Sequence, residues 1–145
     1  MNKVQYTKSG LEIIAAVLLL LNSIAAIFGG GNLIDHPDGS SLVISLDWLK
    51  FSPFRNYLVP GIILFIANGL FGFAVLATML FGYRKASFLI IVQGAILAGW
   101  IVVQVIMIRT IIGLHVFMFV VGLLLILIGG KLNRMNQSEM KSKKI

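Results

Sequence analysis

Four long runs of apolar residues constrain the fold of this chain more than any other feature of its sequence. Each run holds about 16 to 21 residues without a formal charge, close to the ~20 that an α-helix needs to cross ~30 Å of hydrocarbon. Hydrophobic residues make up 59% of the chain and charged residues 12%, against about 45–50% and about 25% in soluble domains. We therefore expect a polytopic membrane protein. The runs are Ile13–Phe28, Ile62–Phe81, Phe88–Ile108 and Gly113–Gly129.

The spacing of these runs predicts one domain built as a helical bundle. The last three runs are joined by a handful of residues each, and short connections make consecutive helices antiparallel neighbours. The expected fold class is an all-α membrane protein, a four-transmembrane-helix antiparallel bundle with a structured extracytoplasmic loop between helices 1 and 2. We expect a single integral membrane domain over 1–145, with helices at about 11–28, 61–82, 87–108 and 112–130, an outer loop at 29–60 and a basic cytoplasmic tail at 131–145.

Two helix boundaries rest on particular residues. The first helix is expected to stop at the three glycines of 29–31, because successive glycines favour leaving a helix. The second is expected to begin at Pro60 and Gly61, since proline is tolerated in a first helical turn.

The first run also follows a basic segment, MNKVQYTK, as a signal peptide would. It is longer than the apolar part of a typical signal peptide, so we interpret it as a permanent helix.

The net charge of +7 is distributed unevenly over the two sides of the expected bundle. Three basic residues, Lys50, Arg55 and Arg109, fall on the side of the long loop, and nine fall on the side of the termini. The positive-inside rule then places both termini in the cytoplasm of a cell membrane. No aromatic side chains suited to base stacking accompany these charges, so nucleic acid is not an expected partner. The nine residues are Lys3, Lys8, Arg84, Lys85, Lys131, Arg134, Lys141, Lys143 and Lys144.

The long loop has the sequence signals of local structure rather than of a solvated linker. The segment His36–Gly39 predicts a type I turn, with proline second and glycine fourth. Three leucines at helical spacing follow it, and Ser45 is placed to cap a short helix among them. Ser52 and Pro53 predict the start of a second short helix. The leucines are Leu42, Leu46 and Leu49.

The same loop carries side chains that are typical of the membrane–water interface. Trp48 and Tyr57 are amphipathic aromatic residues, and Arg55 lies between them in the sequence, where it is suited to anchoring at the lipid headgroups. We therefore expect the loop to lie over the outer end of the bundle as one or two short interfacial helices.

The stretch DHPDG…SLDWLKFSPFRNYLVPG resembles a pattern in small, uncharacterised bacterial four-helix membrane proteins. Ser52-Pro53-Phe54 and Val59-Pro60-Gly61 fit that pattern, whereas His36 separates the aspartate from the proline of the first turn. The resemblance covers about half of the chain, mainly the first loop and its flanking helices. It implies the four-helix architecture and carries no known activity.

Small and polar residues recur at helical spacing within the runs, as expected where helices approach closely in lipid. These positions are predicted to be packing seams. One stripe of the first helix contains Ala15, Leu19, Asn22 and Ala26, and a stripe of the third contains Gln93, Leu97, Trp100 and Gln104.

Four polar side chains are the candidate ligand-binding residues: Asn22, Asn68, Gln104 and His115. At 1.5 Å per residue they lie about 9, 10, 6 and 5 Å from the outer helix ends, beneath the loop, whereas Gln93 falls near the inner end. Polar groups are uncommon in hydrocarbon and usually face the bundle interior or a cavity. Two interpretations stay open, namely hydrogen bonds between helices and a small polar pocket that opens outward.

Nothing in the sequence predicts a catalytic, metal or cofactor site. The chain has no cysteine, which excludes disulfides and the chemistry of thiol–quinone oxidoreductases. His36 and His115 lack a metal-ligand motif and a helical pairing suited to haem. No serine stands in a recognisable nucleophile position. Glu12 invites comparison with small four-helix drug transporters, but it lies at the cytoplasmic edge, where it is expected among the headgroups.

The function expected from these observations is that of a small, non-enzymatic membrane protein, an accessory or assembly partner of a membrane complex. Its expected partners are the lipid bilayer and either another membrane protein or a second copy of the chain. The alternative is a binder or carrier of a lipid or small molecule that uses an outward-facing polar pocket under the first loop.

Overall fold

The structure, a computed structural model, describes residues 10–143. Four helices in this part of the chain are long and apolar enough to cross a membrane, and the predicted all-α four-helix membrane fold is confirmed. Lys3, Lys8 and Lys144, three of the basic residues used above, lie outside the described residues. The helices are α1 (Gly10–Asp35), α2 (Leu58–Leu80), α3 (Ala86–Ile108) and α4 (Gly113–Ser142).

At each end of the bundle, segments from distant parts of the chain meet. Residues 36–57 lie at one end, here called the loop end, where Leu33, Leu49 and Met107 share one apolar cluster. Glu12 and Lys143 line one cavity at the opposite end, here called the tail end. Consecutive helices therefore run antiparallel.

The prediction that α1 stops at its three glycines is wrong, because the helix continues to Asp35. Gly30 packs directly on the backbone of α2, so that a Cβ there would lie 2.8 Å from the carbonyl oxygen of Gly61. Inside a bilayer, backbone groups need partners within the protein, which favours continuing the helix. Gly30 thus permits close helix contact, and the three glycines do not end α1.

α4 also extends further than predicted, since it runs to Ser142 instead of ending near residue 130. Leu132, beyond the predicted end, is buried in the bundle core. Lys131 and Arg134 are exposed on either side of it, as expected for long basic side chains at a membrane surface. Most of the predicted basic tail is therefore helix.

α2 is interrupted by a π-helical segment, Leu64–Leu70, between its two α-helical parts. In this segment the amide of Phe71 bonds to the carbonyl of Ile66, five residues back. Single-turn π segments within α-helices are frequent at functional sites. This segment contains Asn68, one of the predicted site residues.

Close glycine contacts hold the helices in two pairs. Between α3 and α4, a Cβ on Gly94 would lie 2.6 Å from the Gly122 carbonyl oxygen, and one on Gly129 would lie 2.9 Å from that of Ser87. Between α1 and α2, Gly30 and Gly61 make the equivalent contact. All four helices contribute to the buried core: Ala15, Leu19, Val75, Ile90, Leu97, Ile101, Val121, Leu125, Ile128 and Leu132.

Candidate functional sites

The loop end is covered by a compact cap, residues 36–57, built from short turns. The predicted turn at the start of the cap is confirmed by a bond from the Gly39 amide to the His36 carbonyl, 3.0 Å. The predicted capping role of Ser45 is also confirmed, because its side chain accepts from the Asp47 amide at 3.1 Å. The two regular segments are 3₁₀ turns, Ser40–Leu42 and Leu46–Leu49.

The predicted second short helix of the loop is wrong. The Ser52 hydroxyl does accept from the Phe54 amide, 3.2 Å away, but it also donates to the carbonyl of Leu49 at 2.9 Å. These two bonds close a turn, and the next helix begins only at Leu58. A serine before a proline is a helix-start signal, but it closes a local turn equally well.

Tyr57 lies in the interior of the cap, whereas the other two predicted interfacial residues, Trp48 and Arg55, are exposed. Only 5% of the Tyr57 surface is exposed, its hydroxyl donates to the Ser45 carbonyl at 2.7 Å, and its amide donates to the Pro37 carbonyl at 2.8 Å. Burial raises the pKa of the Tyr57 phenol because it disfavours the charged phenolate. Tyr57 therefore holds the two halves of the cap together.

Two non-glycine residues at the loop end have left-handed backbone conformations. Val43 has a φ of 55° and its side chain is 92% exposed. A β-branched residue in this conformation is strained, by about 1–3 kcal/mol. Arg109 also has a φ of 55°, and its guanidinium carbon lies 4.1 Å from the centre of the Phe51 ring. That cation–π contact joins the cap to the end of α3.

Asn22 and Asn68, two of the four candidate ligand-binding residues, meet in the bundle centre together with Gln93. The Asn22 Nδ2 donates to the backbone carbonyl of Asn68, and the Gln93 Nε2 donates to the Asn68 Oδ1, both at 3.3 Å. Ser23, also buried, faces Gly72 one helical turn beyond Asn68. We call Asn22, Ser23, Asn68 and Gln93 the central polar cluster.

Gln104 and His115 do not join this cluster. Gln104 is partly exposed on α3, and His115 is buried at the start of α4, where its Nδ1 accepts from the Ile112 amide at 3.4 Å. The extension of α1 explains the difference in depth. With α1 ending at Asp35, Asn22 lies about 20 Å from the loop end of its helix instead of about 9 Å.

Some polar side-chain atoms of the central polar cluster make no hydrogen bond with the described residues. Four of its side-chain atoms have no hydrogen-bond partner among the described residues 10–143: Asn22 Oδ1, Ser23 Oγ, Asn68 Nδ2 and Gln93 Oε1. The sequence placed Gln93 near the inner end of its helix, apart from the four candidate residues, and gave no signal for Ser23. Gln93, Leu97 and Trp100 recur at helical spacing, and this pattern indicates that Gln93 faces the interior of the bundle.

A cavity of about 620 Å³ opens at the tail end, between the start of α1, the α2–α3 connection and the last turns of α4. Its lining combines apolar side chains of the bundle core, such as Ile90 and Leu132, with four charged residues, Glu12, Arg84, Glu139 and Lys143. No sequence signal predicted this cavity, because its walls come from three distant segments.

One face of α3 carries small residues and is exposed in the part of the bundle that the structure describes. Ala95 and Gly99 are exposed one turn apart, and a Cβ on Gly99 would meet no atom within 4 Å. Val102 and Ile106 continue this stripe towards the loop end and are 46% and 65% exposed. We call Ala95, Gly99, Val102 and Ile106 the α3 outer face.

The described residues define an all-α membrane protein with four spanning helices, a capped loop end and a charged cavity at the tail end. Among them, no group of three or more histidine, aspartate or glutamate side chains is placed to hold a metal ion. Comparison of the chain with protein-family models, with curated proteins and with solved structures finds no match.

Proposed function

We propose that this protein is a non-enzymatic subunit that binds a transmembrane helix of another membrane protein through the α3 outer face. The observation that carries the proposal is the exposure of Gly99 in the middle of a spanning helix. A Cβ on Gly30, Gly94 or Gly129 would lie within 3.0 Å of the backbone of another helix, whereas one on Gly99 would meet no described atom within 4 Å. Gly10, Gly113 and Gly130 also have open space beside them, but the first two start their helices and Gly130 lies at the tail-end limit of its apolar run.

A glycine within a helix lowers helix stability by about 1 kcal/mol relative to alanine. A compensating contact is therefore expected where a spanning helix contains one. In lipid the usual contact is close approach of a second helix, since small residues let two backbones touch. Gly99 and Ala95, one turn apart, form such a small-residue step, which is exposed among the residues that the structure describes. A helix from a partner protein has the shape and chemistry to fill it.

The cap continues this surface beyond the hydrocarbon. Phe51 is 54% exposed and is held against Arg109, directly beyond the end of α3. A partner helix on the α3 outer face would therefore meet the cap where it leaves the bilayer. In the orientation that the basic residues favour, both termini lie in the cytoplasm of a cell membrane and the cap lies outside.

The alternative, an outward-facing polar pocket, has less support. It requires Asn22, Asn68, Gln104 and His115 to converge, and only the two asparagines meet. They do so in the bundle centre and not beneath the cap.

The test compares leucine substitutions on two exposed faces. Gly99→Leu fills the α3 outer face, and Ala25→Leu adds the same side chain to an exposed position on α1. Neither is expected to disturb the monomer, since Gly99 has open space beside it. The measurement is native mass spectrometry of the chain extracted gently from its own membrane without overexpression. A photocrosslinker at position 99 or 25 identifies the neighbour.

We expect a stoichiometric second polypeptide with the unmodified chain and with Ala25→Leu, and its loss with Gly99→Leu. The crosslink should form at position 99 and not at 25. Equal association of both variants would overturn the proposed face. A bare monomer from the unmodified chain would overturn the proposal itself, and crosslinking to a second copy would replace the heteromeric partner by a homodimer.

A further inference from the structure

The tail-end cavity has the shape and composition of a site for an amphiphile. Its inner wall is formed by apolar side chains of the bundle, including Ile90 and Leu132, and its rim carries Arg84, Glu139 and Lys143. Arg84 lies in the α2–α3 connection, just beyond the end of α2 at Leu80. This rim therefore lies at the depth of the lipid headgroups when α2 spans the hydrocarbon.

The guanidinium of Arg84 has hydrogen-bonding capacity that residues 10–143 leave largely unused. Its Nη2 donates to the thioether sulfur of Met140 at 2.9 Å. No carboxylate of the described residues forms an ion pair with it. A thioether is a weak acceptor, whereas a guanidinium offers five N–H donors in a fork that matches the oxygens of a phosphate.

Further basic residues surround the same point. A second cavity, of about 580 Å³, shares Arg84, Met140 and Lys143 with the first and adds Lys141 to its lining. Arg84 and Lys143 therefore border both cavities, and a phosphate beside Arg84 would be within a cluster of three cations. Lysine contributes a point charge to such a site, and arginine contributes the directional bonds.

Two carboxylates give the cavity charges of the opposite sign. Glu12 lines the larger cavity, and so does Glu139, one helical turn before Lys143. A headgroup with only negative charge would be repelled by these carboxylates, whereas a primary ammonium next to a phosphate would be attracted by them.

We propose that the tail-end cavity binds one phospholipid whose headgroup carries a primary ammonium. Arg84 and Lys143 hold the phosphodiester, Glu139 accepts from the ammonium, and an acyl chain lies against the apolar wall near Ile90 and Leu132. The site lies at the opposite end of the bundle from the cap and shares no residue with the α3 outer face, so each proposal stands or fails separately.

The test uses the purified full chain, delipidated in detergent and titrated with defined lipids in native mass spectrometry. Phosphatidylethanolamine, phosphatidylglycerol and phosphatidylcholine with matched acyl chains are compared at equal concentrations. We expect one phosphatidylethanolamine per chain, retained about tenfold more tightly than either other lipid. Equal retention of all three lipids, or preference for phosphatidylglycerol, would overturn the assigned headgroup.

Three variants and a matched control locate the site. Arg84→Ala should weaken retention about tenfold or more, and Arg84→Lys should weaken it less, because lysine keeps the charge and loses the fork. The control is Arg134→Ala, which removes a guanidinium from an exposed position that lines neither cavity. Glu139→Gln should abolish the preference for phosphatidylethanolamine over phosphatidylglycerol.

Equal effects of Arg84→Ala and Arg134→Ala would show general electrostatic attraction and overturn the site. An unchanged preference in Glu139→Gln would overturn the role of that carboxylate. Far-ultraviolet circular dichroism of each variant establishes that the helices are intact. A variant that fails this check is replaced by Lys143→Gln, for which the same loss of retention is expected.

Discussion

Replacing Gly94 by alanine should separate α3 from α4 and destabilise the bundle. The new Cβ would lie 2.6 Å from the carbonyl oxygen of Gly122 and 2.9 Å from the amide nitrogen of Ile126. Both atoms belong to helix backbone, so no side-chain rotation can relieve the contact. Gly94→Ala therefore forces the two helices apart.

The size of the effect follows from these distances. The helices must separate by about 0.8 Å at this point to restore an ordinary contact, and a gap of that size forfeits a quarter to a half of the attraction between each affected atom pair. Overpacking of this kind costs about 1–3 kcal/mol. Gly99→Ala is the matched control on the same helix, because its Cβ meets nothing within 4 Å. That substitution should stabilise the helix by up to about 1 kcal/mol.

The two variants should therefore differ by about 1–4 kcal/mol in free energy of unfolding. Titration with sodium dodecyl sulfate in mixed micelles, followed by circular dichroism, measures that difference. If the two variants unfold within about 0.5 kcal/mol of each other, the close backbone contact between α3 and α4 is refuted, since 0.5 kcal/mol is the usual scatter for substitutions away from packed features.

Four further predictions concern the central polar cluster and the cap. A double-mutant cycle with Asn68→Leu and Gln93→Leu should give a coupling free energy of about 0.6–2 kcal/mol, whereas additive effects would contradict their hydrogen bond. Tyr57→Phe should destabilise the cap by about 0.5–1.5 kcal/mol through loss of the bond to Ser45, as measured by Trp48 fluorescence in a Trp100→Phe background. The raised pKa of Tyr57 means that the folded cap keeps a proton that the unfolded chain loses above pH ~10, so its stability should fall as the pH rises beyond that value. Tyr57→Phe should remove this alkaline decline, and a variant that retains it would refute the assignment. Two hydrogen bonds from Ser40 lower the pKa of the Asp38 carboxyl below its ordinary value of 3.8. The carboxylate therefore stabilises the turn at neutral pH, and this stabilisation should be lost as the pH falls below 3.8 and through the lowered pKa. Asp38→Asn should abolish that acid-dependent step in hydrogen exchange of the Ser40 amide, and an unchanged step would assign it to another group.

Local sequence signals predicted the structure correctly where a short segment supplies all of its own contacts. The turn at His36–Gly39 and the cap at Ser45 formed as predicted, because proline, glycine and serine act on residues only two or three positions away. Ser52 shows the limit of such signals. Its hydroxyl can start a helix or close a turn, and the choice depends on what the following residues pack against.

The central polar cluster required information that no single helix contains. Asn22 and Asn68 are 46 residues apart in the chain, and Gln93 is 25 residues further on. Their depths depend on where each helix ends, and the end of α1 was misjudged because Gly30 packs against α2 instead of stopping the helix. Because the end of α1 was predicted too early, the site was predicted beneath the cap, whereas its two asparagines meet in the bundle centre.

By itself, the sequence determined that four helices form and which stripe of α1 faces inward. The length of an apolar run and the spacing of its small residues are properties of one segment, and Ala15, Leu19, Asn22 and Ala26 are all buried as predicted. Only the tertiary structure decided which glycines are contacts, which polar groups meet, and where a cavity remains. Gly94 and Gly99 look alike in the sequence, yet one touches the backbone of α4 and the other faces open space. That difference depends on the position of a second helix, and no pattern within α3 contains it.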